Sequence, residues 1–233
     1  MKHFYALLSL LLLAIGVEAQ PDRNQRFAAA AYLGGNLSQI HGDSYFGYNN
    51  AGLRFGIETH YLLKPQYFIS IGIGYSGEGA IPDSKEIELK GGNAAALKLN
   101  MIEIPVIFNW RLGDKKATGK KNNYGLYRST SFQVGAKLVR LIGARTVNRG
   151  FFGQLLVDPE FDEANIEFQD FDFSFVTGFT FQIGLKGAVY VQHSLSIRGL
   201  YRQKEVTLAQ ESGYEVDQLR PYSLTFGGKF VFY

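Results

Sequence analysis

The stretch Phe171–Ile183 constrains the fold of this chain more than any other. Its odd positions read Phe, Phe, Phe, Thr, Phe, Phe, Ile and its even positions Asp, Ser, Val, Gly, Thr, Gln. Successive side chains of a strand point to opposite faces, so one face is aromatic and the other small and polar. A strand of a soluble sheet runs about 5–6 residues. A membrane-crossing strand needs roughly 9–11 residues of such alternation. This length favours lipid as the partner of the apolar face.

The N-terminus reads as an export signal. Met1-Lys2-His3 is followed by an apolar run over residues 4–17 and by Val17-Glu18-Ala19. A basic start, a short apolar region and a small-x-small site describe a secretory signal peptide, residues 1–19, cut after Ala19. The run is shorter than the roughly 20 residues of a membrane helix. Residues 20–233 then form one β-barrel domain, as suits a chain of about 210 residues. With no cysteine, neither a thiol-linked lipid nor a disulfide framework can form. Against 6 Pro and 2 Met stand 27 Gly, 14 Tyr and 19 Phe, a composition that fits a barrel whose membrane signal is spread thinly. The net charge of +3 is too small to argue for a nucleic-acid partner.

The same alternation recurs along the chain, with strands expected over residues 27–37, 51–63, 67–77, 97–112, 126–141, 171–183, 188–201 and 222–233. Lys64-Pro65-Gln66 and Lys186-Gly187 mark tight turns. Long connections alternate with shorter ones, the asymmetry of outer-membrane barrels with their even strand number. Lipid admits only helices and closed barrels as spanning structures. The predicted fold is all-β, a transmembrane eight-stranded antiparallel up-and-down barrel. A soluble lipocalin-like barrel is the alternative. Three features weigh against it: aromatics at strand ends (Tyr61, Tyr67, Trp110, Tyr201, Tyr222), charges on the polar faces, and a chain that stops inside its last strand.

The segment Leu97-Lys98-Leu99-Asn100-Met101-Ile102-Glu103-Ile104-Pro105-Val106-Ile107 resembles a strand of the PorT-like outer-membrane β-barrel family of Bacteroidota-type bacteria. Leu33-Gly34-Gly35-Asn36-Leu37-Ser38 resembles that family's first strand, and the resemblance extends over nearly all of residues 20–233. It implies an outer-membrane location, no enzymatic activity, passage through the barrel-assembly machinery and, by the namesake, a link to secretion and gliding machinery.

Alternation turns Arg54, Glu58, Glu103, Arg111, Lys137, Asp172, Arg198 and Lys229 inward, with Gln133, Gln182 and Gln192. Opposite charges in so narrow a lumen pair, because a buried charge left alone is costly. The expectation is a closed lumen rather than a gated channel. His41-Gly42-Asp43-Ser44 holds the residue types of an acyl-transfer triad, but adjacent loop residues cannot fold into one another's reach. Asp158, Glu160, Asp162, Glu163, Glu167 and Asp170 crowd one loop without the glycine of a calcium-hand loop. Phe151, Phe152, Phe161 and Phe168 in that loop, and Lys115, Lys116, Lys120 and Lys121 in the basic connection, are candidate partner surfaces. No metal-ligand spacing, phosphate loop or nucleotide fingerprint occurs, so no metal or cofactor is expected.

These readings converge on a non-enzymatic outer-membrane barrel, structural or accessory, with membrane lipid and another envelope protein as partners. A small barrel enzyme or ligand-binding barrel acting on lipid or peptide at the outer face is the alternative.

Overall fold

The computed structural model describes residues 26–42, 47–89, 95–112, 130–148, 169–183, 186–200 and 219–232. Eight antiparallel strands close on themselves in sequence order. They are β1 (Phe27–His41), β2 (Asn50–Lys64), β3 (Tyr67–Ala80), β4 (Ala95–Leu112), β5 (Thr130–Asn148), β6 (Phe171–Ile183), β7 (Gly187–Ser196) and β8 (Arg220–Phe232). β1 pairs with β2 on one side and with β8 on the other, from Ala29↔Phe232 to His41↔Arg220, which closes the barrel. The turns after β2 and β6 and both strand termini Phe27 and Phe232 share one end, the turn end. The connections after β1, β3, β5 and β7 lie at the opposite loop end.

The outer surface is apolar. Leu33, Phe55, Ile57, Ile73, Val106, Phe173, Phe179, Leu195 and Phe230 all stand exposed on it, the reverse of a lipocalin, whose apolar face turns inward. Aromatic pairs rim this belt. Tyr67 stacks on Phe108 with ring centroids 5.7 Å apart and lies 6.4 Å from Trp110 at the turn end. Near the loop end, Phe55 stacks on Tyr75 at 5.2 Å. A closed barrel with an apolar exterior pairs its strands internally while presenting a largely apolar wall to its surroundings, which is what a bilayer demands.

Several strands run differently from their sequence-based bounds. β1 continues through Ile40 to His41, and β3 reaches Ala80. β5 begins four positions later than residue 126 and extends through Asn148, seven positions beyond its expected end at 141. The reason is a bulge: Asn100 pairs with Gly143 but Met101 with Leu141, leaving Ile142 as the extra residue. A bulge breaks period two, so alternation ceases to report a strand that is still there. β7 stops at Ser196 rather than 201, because Gly199 turns the chain with φ 92°. The long β3–β4 connection holds a helix, α1 (Ser84–Leu89), whose start is capped reciprocally: the Glu86 amide donates to Asp83 Oδ1 at 2.8 Å and the Asp83 amide to Glu86 Oε2 at 2.7 Å. Pro105 lies inside β4 where the β3–β4 pairing lapses between Ile71↔Val106 and Gly74↔Glu103. Proline has no N–H to give to the ladder, so the gap falls where it costs least.

Residues 1–25, with the signal sequence, lie outside the described residues. So do Lys115, Lys116, Lys120, Lys121, Phe151, Phe152, Phe161, Phe168, Tyr201 and the acidic positions from Asp158 to Glu167.

Candidate functional site

The lumen is the site the fold builds. Inward residues from all eight strands fill it, and space for them depends on small partners. Two tyrosines, Tyr32 of β1 and Tyr190 of β7, cross the middle edge to face, with ring centroids 6.3 Å apart. They fit because inward positions nearby are glycine: a Cβ at Gly74 would stand 2.0 Å from the Tyr32 hydroxyl, at Gly56 2.5 Å, and at Gly34 2.8 Å from the Tyr190 hydroxyl. The alternation of large and absent side chains lets a barrel of this size close without a pore.

Between and above the tyrosines lies a buried ionic network. Arg54 Nε donates to Glu103 Oε1 at 2.5 Å and Arg54 Nη1 to Gln192 Oε1 at 2.5 Å, joining β2 to β4 and to β7. Lys137 of β5 bonds Glu103 Oε2 at 3.2 Å and Glu78 Oε1 at 3.0 Å. The amide chain Gln192–Gln133–Asn109 continues at 2.9 and 2.6 Å, ending on the Ser70 hydroxyl at 2.9 Å. Arg54 also stands over the Tyr32 and Tyr190 rings, 5.3 and 5.9 Å from their centroids. Glu103 has no solvent exposure. Charges so placed need partners on every side, and here each has them.

A second cluster lies toward the turn end. Lys229 Nζ donates to Glu58 Oε1 at 2.8 Å, and His60 Nε2 meets the same oxygen at 2.7 Å. Lys229 caps the Tyr190 ring at 5.1 Å. Beside this cluster a cavity of about 50 Å³ opens, lined by residues that include Glu58, His60, Asn109, Gln133, Thr180 and Lys229. It has room for a few water molecules and is far smaller than the roughly 300–1,000 Å³ of a small-molecule pocket. Thr180 Oγ1, buried against it, has no hydrogen-bond partner among the described residues.

The loop end is closed differently. Ile40, Ala80, Leu99, Met101, Val139, Leu200 and Leu219 form a buried apolar cluster there. Just below it, Asn36, Ser38, Ser76, Ser194, Ser223 and Thr225 are buried and bonded to one another or to backbone, as in Asn36 Nδ2 to Ser76 Oγ at 2.8 Å and Thr225 Oγ1 to Asn36 Oδ1 at 2.6 Å.

Of the residues expected inside, Arg54, Glu58, Glu103, Lys137 and Lys229 meet in these two clusters. Asp172 is buried but belongs to neither. It accepts the Gly199 amide at 3.2 Å and so pins the turn that ends β7. Arg111 lies at the turn-end mouth, donating to the Pro65 carbonyl at 3.0 Å with its guanidinium 5.0 Å from the Phe68 centroid. Arg198 is a correction: it is exposed, because β7 ends before it and the strand phase no longer governs it. Glu78, which completes the Lys137 pairing, lies one position past the expected end of β3. It keeps the phase of Ser70 and Ser76, the signal that would have found it. His41 ends β1, exposed, while Asp43 and Ser44 lie outside the described residues. Among the described residues no group of His, Asp and Glu is arranged to hold a metal ion.

An apolar exterior, a polar packed interior and closure in sequence order define the class: an integral membrane β-barrel of eight strands. No family model matches the chain, and no curated protein matches it. Among solved structures it is similar in fold to Ail, the attachment invasion locus protein of Yersinia pestis, at 10% identity, with 89% of this chain and 100% of that chain covered and a TM-score of 0.44. Neisserial surface protein A compares at 12% identity, 88% and 97% coverage and a TM-score of 0.44. The outer membrane enzyme PagL compares at 8% identity, 87% and 97% coverage and a TM-score of 0.37.

Proposed function

We propose that this protein is a non-enzymatic barrel of the bacterial outer membrane, exported by its N-terminal signal and inserted by the barrel-assembly machinery. Its role is structural or accessory. One observation carries this reading: the lumen is closed twice, by the Arg54–Glu103–Lys137–Glu78 network and by the apolar cluster around Leu99. A barrel filled in this way supports neither conduction nor a ligand chamber. The enzyme alternative needs polar groups converging at the loop end, and the described loop end of the lumen is built of Ile40, Leu99, Leu200 and Leu219.

The orientation follows from the connections. Termini and short turns face the periplasm in barrels of this kind, and the longer loops face outward. The PorT-like resemblance of residues 97–107 supports an accessory place in an export or surface-assembly complex, with the 149–170 loop and the 113–129 connection as the surfaces offered to an envelope protein. Pure protein in planar bilayers should give no sizeable steady current. Reproducible single-channel openings would overturn the closed lumen. Purification from native membrane in mild detergent should bring down a stoichiometric partner, and a barrel that always purifies alone would remove the accessory role.

A further inference from the structure

The outer wall of the barrel carries a second feature at the loop end. Along β4 the lipid-facing positions from Trp110 through Phe108, Val106 and Ile104 to Ile102 are all apolar, and then become Asn100 and Lys98. From Trp110 to Ile102 is about 27 Å of strand, or about 20 Å of height at a tilt near 40°, close to the apolar band of a membrane barrel. Lys98 therefore sits about 10 Å above the rim of the belt. Its direct cross-strand partner on β5 is Arg145, and both are exposed. Arg140, also exposed, lies lower, opposite Ile102 at the rim, with its guanidinium 5.6 Å from the Phe171 ring centroid.

Like charges directly opposite each other in a ladder repel and destabilise the pair. Nothing within the described chain offsets this. Among the described residues Lys98, Arg140 and Arg145 form no ion pair. Of the described acids near this end, Asp83 and Glu86 cap α1, Glu78 and Asp172 point into the lumen, and the exposed Asp170 and Glu88 form no ion pair with these cations.

We propose that Lys98, Arg140 and Arg145 bind the phosphate groups of lipid in the loop-end leaflet. This rests on the membrane-barrel reading above, and the placement selects the occupant. Headgroups lie in a layer about 5–8 Å thick directly above the hydrocarbon, which meets Arg140 at the rim and lies within reach of the long side chains of the Lys98–Arg145 pair above it. A guanidinium stacked on a lipid-facing phenylalanine has its apolar stem in hydrocarbon and its charge at the interface, the disposition of a snorkelling cation. Cations at a charged bilayer surface each favour anionic lipid severalfold.

The test uses the full chain in non-ionic detergent, with native mass spectrometry counting retained lipid from an equimolar mixture of phosphatidic acid and phosphatidylcholine. The wild-type protein should retain phosphatidic acid preferentially. The variant Lys98→Gln/Arg140→Gln/Arg145→Gln should lose that preference by at least tenfold, from about fivefold per cation, while Lys98→Arg/Arg145→Lys keeps it. Heat-modifiable gel mobility checks that each variant is a folded barrel. If the wild type does not migrate as one, the barrel reading fails; if it does and the triple variant retains phosphatidic acid undiminished, only this proposal fails. Displacement of the lipid by inorganic phosphate at the same concentration would assign the patch to a soluble anion and overturn the lipid assignment. A severalfold gain in lipid on Asp158→Asn/Glu160→Gln/Asp162→Asn/Glu163→Gln/Glu167→Gln would show that the chain's own acidic loop covers the patch, which also overturns it.

Discussion

The two ends of the lumen solve one problem in opposite ways. Toward the loop end the interior is closed by carbon, with Leu99, Ile40 and Leu219 almost without exposure, above hydroxyls and amides that satisfy one another. Toward the turn end it is closed only in part: the Glu58–His60–Lys229 cluster borders a cavity where Thr180 Oγ1 lacks a partner among the described residues. Carbon packing is indifferent to water but intolerant of a gap. A hydrated ionic cluster tolerates a lost partner, because water takes its place. The ionic network at the middle has neither latitude. It is fully buried, and its members connect strands that are not neighbours in the sheet, as Arg54 of β2 does with Gln192 of β7. Cohesion across the barrel is therefore concentrated in the middle layer.

That contrast is most directly broken at Glu103. Glu103→Gln removes the negative charge that buried Arg54 and Lys137 share and turns one of its two acceptor oxygens into a donor facing a cation. Unfolding in urea with the barrel in micelles should show a loss of about 3–5 kcal/mol. The same change at Glu58, beside the cavity, should cost about 1–3 kcal/mol because water can reach Lys229. Equal losses at the two sites would mean that the middle layer and the turn end are solvated alike. Leu99→Ala tests the carbon plug. With 1% of Leu99 exposed, the vacated space cannot hydrate, and the same unfolding measurement should register about 2–5 kcal/mol. The central network lies beneath the plug, so this variant should still carry no current in planar bilayers. A conducting Leu99→Ala barrel would place the seal in the plug alone.

How much of this could be read from sequence depended on whether period two survived. Along β6 it runs unbroken from Phe171 to Ile183, and the observed strand has those bounds. The same pattern put Glu103 inward and Ile102 outward on β4, as found. On β5 the bulged Ile142 inverted the phase, and the strand vanished from the pattern although its ladder continued to Asn148. Arg198 departs from the pattern for the converse reason: a glycine turn ends β7 before alternation can carry it inward. Phase tells which residues enter the lumen but not which of them meet. That depends on the stagger of the closed sheet, so the Arg54–Gln192 bond and the two central tyrosines were not legible. The glycines opposite those rings were visible only as composition.

Gly74 sharpens the comparison from the side of space rather than charge. Gly74→Ala would bring a methyl within 2.0 Å of the Tyr32 hydroxyl, 2.7 Å of the Phe55 carbonyl oxygen and 3.0 Å of the Tyr32 Cζ. The expected loss is about 1–3 kcal/mol. Tyr32→Phe in the same chain removes the nearest clash but neither the Phe55 carbonyl contact nor the one with the ring, so it should recover part of the loss and not all. Complete recovery would mean that only the hydroxyl, and neither the ring nor the Phe55 carbonyl, needs the space left by glycine.

The smallest effect belongs to His60. Its Nε2 lies 2.7 Å from Glu58 Oε1, but that oxygen also receives Lys229 at 2.8 Å, and the imidazole is partly exposed beside the cavity. His60→Gln therefore removes one of two partners from a carboxylate that water can also reach. The expected cost is about 0.5–1.5 kcal/mol, the net worth of one hydrogen bond, read from the same unfolding curves. If the turn end were as dry as the middle layer, loss of this partner would cost as much as a substitution at Glu103. A loss of that size would extend the dry interior to the turn-end mouth, and the two ends of the lumen would differ in composition but not in their access to water.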